Sequence, residues 1–520
     1  MTNDEPSVIR TLATGVPGLD AVLGGGLPEY SFNLLAGGPG SGKTTLAHQI
    51  LFSNASPERP AIYFTVLGEP TIKMLRYQRQ FSFFDQTRAG SAVQFVNLSE
   101  DILKGNLSGV LQRIVREVER AKPGLIVVDS FRTITGRLDP KTEGVFGLDE
   151  FIQRLAQHLT TWEVTSFLLG EYAVEEQRNP VFTVADGIFW MSQATDRNSV
   201  VRKLQVVKSR GSAPMPGLHT FRITDDGLRV YPRIPEQTGN RRANKRSRLL
   251  TGIPGFDEMT GGGVVSGDAV MLTGPAGSGK STIATQFIVA GLRNGETGVI
   301  AVFEEYPEQY LARADARDPE VGKMIRAGKL ELIYLRPLDL SVDEALHAIL
   351  DAVERLNAKR VVIDSLSGFE VALAPTFRED FRESLYRLVG TLTATGVTVF
   401  MTAEVVEGFS DVRFTAEKVS FITDEIIIQR YIELEGELRR VMAVIKMRGS
   451  DHSHELRTYQ VTSKGVVVGE ALKQYDGIMT GVPVLRKNGT PAPVKSLAAP
   501  AKPGAAKPAG AKLAPTKRRR

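Results

Sequence analysis

Cysteine is absent from this 520-residue chain. Disulfides, thiolate nucleophiles and cysteine-ligated metals are therefore excluded. No apolar run approaches the length that crosses a bilayer, and the opening Met1-Thr2-Asn3-Asp4-Glu5-Pro6 lacks the features of a signal peptide. The expectation is a cytoplasmic protein without membrane association. Acidic residues are missing after Asp476, where ten basic ones follow, from Arg486 to Arg520. The whole chain carries +5, so without that tail the body stands at about −5. The basic character belongs to the tail. Hydrophobic content of 42% is ordinary for a globular protein, and the length suffices for several domains.

What is present is organised around two stretches. Gly37-Gly38-Pro39-Gly40-Ser41-Gly42-Lys43-Thr44-Thr45 and Gly274-Pro275-Ala276-Gly277-Ser278-Gly279-Lys280-Ser281-Thr282 both fit G-x-x-x-x-G-K-[ST]. Triphosphate chemistry accounts for each position. Gly38, Gly40, Gly42, Gly277 and Gly279 permit positive φ, which lets backbone N–H groups converge on phosphate oxygens. Lys43 and Lys280 reach the β- and γ-phosphates, and Thr44 and Ser281 can ligate Mg²⁺. Ala269–Thr273 reads as the strand before the second loop. Ile283, Phe287 and Gly291 recur at helical spacing after it, before a stop at Asn294-Gly295.

The surroundings repeat as well. Thr14-Gly-Val-Pro-Gly-Leu-Asp20 returns as Thr251-Gly-Ile-Pro-Gly-Phe-Asp257, and Gly24-Gly-Gly26 as Gly261-Gly-Gly263. Leu125–Ser130 matches Val361–Ser365, and Lys208-Ser-Arg210-Gly211 matches Lys446-Met-Arg448-Gly449. The chain is a tandem duplication with a period of about 230 residues. In the second copy, strand candidates Gly298–Phe303, Val361–Ile363 and Val397–Thr402 alternate with helical patterns at Ser341–Leu356 and Glu379–Thr395. That alternation predicts an α/β fold, a mostly parallel sheet flanked by helices. Ile426–Glu433 and Leu438–Lys446 flank Glu435-Gly436 as a β-hairpin. The expected organisation is a first domain over 8–231, a polar basic linker over 232–248, and a second domain over 249–475. A disordered tail rich in Pro, Ala and Lys follows over 482–520.

Asp129 and Asp364 each end a short apolar strand, where a carboxylate can orient Mg²⁺ through water. Glu304-Glu305 follows the Gly298–Phe303 strand. One carboxylate there can polarise an attacking water or hydroxyl while its neighbour adjusts pKa or metal geometry, so Glu304 also counts as a metal-side candidate. The first copy reads Val66-Leu67-Gly68-Glu69 at the matching place. It should bind ATP and hydrolyse it slowly. Lys208 and Arg210, and Lys446 and Arg448, sit far along the chain from their own loops. They read either as fingers reaching a neighbouring subunit's γ-phosphate or as a charged sheet edge.

The tandem copies, the T-G-[VI]-P-G-[LF]-D segments, the paired phosphate loops, Glu304-Glu305 and the K-x-R-G strands together resemble the KaiC family. These are circadian-clock ATPases and autokinases of cyanobacteria, within the RecA-like ATPases. The resemblance spans about residues 8–470. It implies two tandem RecA-like P-loop domains with C-terminal hairpins, and a homo-oligomer, a hexameric double ring with ATP at subunit interfaces. It implies that Lys208, Arg210, Lys446 and Arg448 touch the neighbour's nucleotide, and that Glu304, Glu305 and Lys280 form the catalytic set. It also points to serine/threonine autophosphorylation near the segment Lys418-Val-Ser420-Phe421-Ile422-Thr423-Asp424. Ser420 holds the first acceptor position, Phe421 replaces the second, and Thr415 lies upstream. Single-site phosphorylation at Ser420 is the expectation that fits, against a plain loop hydroxyl.

The reading is an ATP- and Mg²⁺-dependent ATPase of signalling type, with signalling proteins as candidate partners. The tail attracts nucleic acid or acidic proteins through charge, or serves only as a solubilising extension. Two rival classes stay open: a DNA-stimulated recombination ATPase, and a nucleotide-gated scaffold without kinase activity.

Overall fold

Apolar runs with buried residues on both sides belong in the middle of a covered sheet, and each copy builds one. The computed structural model describes residues 9–65, 71–103, 107–130, 148–172, 180–196, 199–234, 247–335, 340–373, 381–405, 422–478 and 483–485. The first copy contributes β1 (Phe32–Gly37), β2 (Ala61–Thr65), β3 (Val93–Asn97), β4 (Leu125–Asp129), β5 (Thr165–Gly170) and β6 (Gly187–Asp196). It then adds β7 (Ser199–Ser209), β8 (His219–Thr224) and β9 (Gly227–Tyr231). The second copy repeats them as β10 (Ala269–Gly274), β11 (Gly298–Val302), β12 (Leu330–Tyr334), β13 (Arg360–Asp364), β14 (Thr398–Glu404) and β15 (Glu425–Leu434). Its last three are β16 (Glu437–Met447), β17 (Arg457–Thr462) and β18 (Gly465–Ala471).

The spatial order is β3-β2-β4-β5-β1-β6-β7-β8-β9, and the second sheet has the same order, β12-β11-β13-β14-β10-β15-β16-β17-β18. Pairing is parallel from β3 to β6 and antiparallel from β6 to β9. The second sheet repeats that change at β15. Parallel strands follow from the long helical crossovers between them.

Strand residues alternate between two helical layers. In the second copy Leu272, Ile300 and Phe400 pack on Ile283 and Phe287 of helix Lys280–Arg293. Met271, Val299 and Val361 face Leu346 and Ile349 of helix Val342–Leu356 and Leu388 of helix Phe381–Ala394. The first copy mirrors this, with Leu35 against Leu46 and Ile50 on one side and Leu34 against Ile114 and Leu155 on the other. Tandem RecA-like organisation is thus the observed architecture.

Local chemistry sets the boundaries. Ser341 caps its helix by accepting the Glu344 N–H at 3.1 Å. Glu435 and Gly436 both take positive φ, 55° and 78°, as a tight turn between twisted strands demands. Each copy carries a further hairpin, β8-β9 and β17-β18, beyond the one anticipated from sequence. The tail boundary also differs from the expectation of disorder from 482. Val484–Leu485 pairs antiparallel with Tyr475–Asp476. Two apolar residues with good extended geometry suffice for that short ladder, whatever the composition of the surrounding segment.

Candidate functional site

Each phosphate loop leaves the carboxyl end of the central strand β1 or β10, which lies between β5/β14 and β6/β15 and runs parallel to both. Gly40 and Gly42 take φ of 70° and 95°, and Gly277 and Gly279 take 73° and 96°. Such angles are strained for other residues. At Gly37 space is decisive too, because a Cβ would lie 1.9 Å from the Met191 carbonyl oxygen. Gly42 and Gly279 are the N-caps of helices Lys43–Asn54 and Lys280–Arg293, so Thr44, Thr45, Ser281 and Thr282 all fall in a first turn. Those turns present free N–H groups and the positive end of the helix dipole.

The loop lysines point back into the loop. Lys43 Nζ donates to the carbonyls of Gly37 (2.9 Å) and Gly38 (2.7 Å), and approaches Ser41 Oγ at 3.3 Å. Lys280 Nζ donates to Gly274 (2.9 Å) and Pro275 (2.8 Å). Burial lowers both amines below their ordinary pKa, opposed by Glu171 and Asp129 at the first site. At the second site the opposing carboxylates are Glu404, Asp364 and Glu304. Ser278, by contrast, is committed to structure: its Oγ donates to Gln429 Oε1 at 2.9 Å, and its carbonyl accepts from Tyr459.

The aspartates end β4 and β13 as anticipated, yet their partners differ. Thr44 Oγ1 donates to Asp129 Oδ2 at 3.0 Å, and the buried Tyr63 hydroxyl donates to the same oxygen. Burial raises the Asp129 carboxyl, and the Tyr63 and Thr44 hydroxyls oppose the rise. Asp364 instead accepts from Thr402 Oγ1 on β14 at 2.6 Å. A hydroxyl beside a carboxylate offers only oxygen donors, which suits a small hard dication that retains water and phosphate ligands. Among the described residues, no cluster of three or more His, Asp or Glu could hold a metal by itself.

Glu304 and Glu305 follow β11 and diverge. Glu304 Oε1 accepts from Ser365 Oγ at 2.9 Å, directly after Asp364, and Glu304 is exposed. Glu305 is held by Arg313 at 2.6 Å. Sequence reasoning missed Glu171 and Glu404, which stand after and at the end of β5 and β14. The strand register makes them counterparts, and each acts on its loop lysine. An acidic residue at the end of a strand two positions from Thr402 was the available signal. A cavity of about 530 Å³ also runs along helix Lys280–Arg293, lined by Thr282, Gln286, Arg313, Arg317 and Lys464.

The K-x-R residues lie at the other end of the sheet. Lys208 pairs in register with Ile188, and Lys446 with Ile426, near the starts of β6 and β15. Lys208 Nζ donates to the Thr183 carbonyl (3.1 Å) and Lys446 Nζ to that of Thr423 (2.6 Å). Arg210 pairs with Asp186 at 3.1 Å and Arg448 with Asp424 at 3.5 Å. Register sets Lys208 level with Leu34 and Lys446 level with Met271, so along the strand the lysines stand roughly 10 Å and the arginines roughly 17 Å from their own loops. These groups therefore do not serve their own loop. Ser420, Thr415 and Phe421 fall outside the described residues, as do 66–70 and all the tail except 483–485. No helix among the described residues is long and apolar enough to cross a membrane.

The KaiC ATPase family profile matches twice, over residues 12–234 and 249–473. The circadian clock protein KaiC3 of Synechocystis sp. is 28% identical over 504 residues, 93% of this chain and 96% of that one. The circadian clock oscillator protein KaiC of Parathermosynechococcus lividus is 27% identical over 477 residues, covering 90% and 87%. Its namesake in Prochlorococcus marinus is 26% identical over 486 residues, covering 91% and 96%. Two nucleotide loops on two identically ordered sheets, both within the matched segments, make this chain a member of the KaiC family of ATPases.

Proposed function

We propose a Mg²⁺-dependent ATPase acting as a homo-oligomer, with the second domain, 249–475, as its main engine. The observation that carries this reading is the convergence of Lys280, Asp364, Glu304 and Glu404 at one sheet edge. The first domain, 8–231, has Leu67 and Gly68 where the second has Glu304 and Glu305. The loop N–H groups and Lys280 would hold the phosphates, and Ser281 and Asp364 would hold the dication. When bound, Mg²⁺ offsets phosphate charge and aligns the γ-phosphoryl group. Glu304 takes the proton of the attacking oxygen, and Glu305, tied to Arg313, keeps the turn in place.

In a ring assembly with the family's hexameric number, Lys446 and Arg448 would complete the neighbour's second site and Lys208 and Arg210 its first. Their distance from their own loops supports that reading. Where the acceptor is Ser420 Oγ rather than water, the same Glu304 takes the hydroxyl proton. The γ-phosphoryl group then forms an ester, with ADP leaving. Such a phosphoprotein would suit a signalling role. Intact mass after incubation with Mg-ATP should rise by one phosphate, and Ser420→Ala should remove it. An unchanged mass in the parent chain rejects the kinase activity.

The hydrolysis assignment has its own test. Lys280→Ala should remove most steady-state phosphate release, and Lys43→Ala should leave most of it. The opposite pattern overturns the ranking of the two domains. Leu67-Gly68 favours one second reading, for the first domain alone: bound ATP there sets oligomeric state more than it is turned over.

A further inference from the structure

We propose that Tyr63 is a positioning residue of the first site that weakens its hold on the metal, setting a higher Mg²⁺ requirement there than Asp129 and Thr44 alone would give. The inference rests on the reading of that site as a Mg-ATP site and deepens it. Tyr63 stands in the middle of β2, facing Val127 of β4, two residues before Asp129. Its side chain is fully buried, and its hydroxyl donates to Asp129 Oδ2, the oxygen that also accepts from Thr44 Oγ1. One carboxylate oxygen thus serves two neutral donors.

The ring cannot drift from this contact. His48 stacks on it with centroids 4.4 Å apart and planes 16° from parallel, and Phe95 packs at 5.8 Å. His48 is itself fixed, its Nδ1 donating to the Thr44 carbonyl at 2.8 Å. The same helical turn that carries Thr44 therefore clamps the phenol against Asp129.

Among the described residues the second domain does not repeat this contact, and its buried Tyr310 hydroxyl is bonded to Thr285 Oγ1 at 2.9 Å instead. Register places Ile300 opposite Val362 where Tyr63 faces Val127, and isoleucine donates nothing. Asp364 is held instead by Thr402 from β14, through Oδ1, where the first domain has Leu169. The two carboxylates are gripped from opposite sides of the strand. A donor on a carboxylate oxygen stabilises its charge and lowers its basicity, so that oxygen competes less well for a metal-bound water. The Tyr63 hydroxyl accordingly draws on the lone pairs that the first site would offer a dication.

The experiment titrates MgCl₂ against retention of a fluorescent ATP analogue by the full-length chain. Lys280→Ala silences the second loop, so the signal reports the first. Tyr63→Phe in that background keeps the ring between His48 and Phe95 and removes only the hydroxyl. We expect the Mg²⁺ concentration for half-maximal retention to fall roughly three- to tenfold, the net worth of one ordinary intramolecular hydrogen bond. A thermal melt in EDTA without nucleotide confirms that the variant is folded. An unchanged or raised Mg²⁺ requirement in a folded variant overturns the inference while leaving the ATP-site reading intact. Failure of the Lys280→Ala chain to retain the analogue at any Mg²⁺ concentration overturns both.

Discussion

Glu425 shows how one side chain distinguishes two copies of the same strand. Its register counterpart is Gly187, where a Cβ would lie 2.1 Å from Asn33 Oδ1. The second copy replaces that pair with Glu425 beside Val270. Glu425 Oε1 accepts the Val265 N–H at 2.7 Å, but burial, aided by Asp268 and Asp424, pushes its carboxyl up to about 8. The Val265 N–H and Arg248 act in the opposite direction. The folded chain therefore keeps a proton that the unfolded chain, near its ordinary 4.5, releases. Between those values the native state binds more protons, so stability falls as pH rises, by about 1.4 kcal/mol per pH unit at most. Glu425→Gln should flatten that slope between roughly pH 5 and 8, measured as the denaturation midpoint of the second domain against pH. The conserved slope of the parent in the variant would refute the assignment. At this scale the sequence was partly legible. Thr251-Gly-Ile-Pro-Gly-Phe-Asp257 was visible as a repeat. That Asp257 closes it by accepting from Thr251 N (2.8 Å) and Oγ1 (2.7 Å), as Asp20 does for Thr14, required coordinates.

Among elements, β13 carries a charge that no strand pattern predicts. Arg360 opens it, 1% exposed, with Nε on Glu296 at 2.5 Å and Nη1 on the carbonyls of Leu250 and Phe287, both at 2.7 Å. Its guanidinium lies 4.6 Å from the centroid of the Phe287 ring. One side chain thus ties β13 to helix Lys280–Arg293, the element that presents Lys280 and Ser281, and to the segment before Thr251. Arg360→Ala should destabilise the second domain by about 3–5 kcal/mol, because Glu296 and two carbonyls lose their partner. Arg360→Met, which keeps apolar volume, should cost less. Chemical denaturation of the two variants checks the order. Strands and helices near the loops were readable because their apolar periods were long and uninterrupted. The hairpins β8-β9 and β17-β18 were not, since short half-exposed strands share their composition with loops.

For the whole molecule, the decisive feature is the separation between each K-x-R pair and its own phosphate loop. A site assembled across subunits predicts complementation. Lys280→Ala and Arg448→Ala chains, each with little second-domain turnover alone, should regain about a quarter of that turnover when co-assembled in equal amounts, since an intact loop meets an intact finger at that frequency. No recovery on mixing would confine the site to one chain. Within the chain, the two copies meet through Arg222 on Glu344 (3.0 Å), Arg233 on Glu383 (2.9 Å) and His347 on the Pro232 carbonyl (3.0 Å). The amino-acid order alone established the duplication, the two loops, the aspartates that end β4 and β13, and the unequal acidic equipment of the copies, because these depend on short-range spacing. Only the tertiary structure decided that Tyr63 and Thr402 hold those aspartates from opposite sides, that Glu404 joins the Lys280 cluster, and that Arg210 and Arg448 face away from their own loops. Those relations are set by strand order and register, which bring together residues far apart in the chain, and no local pattern encodes which strand becomes whose neighbour.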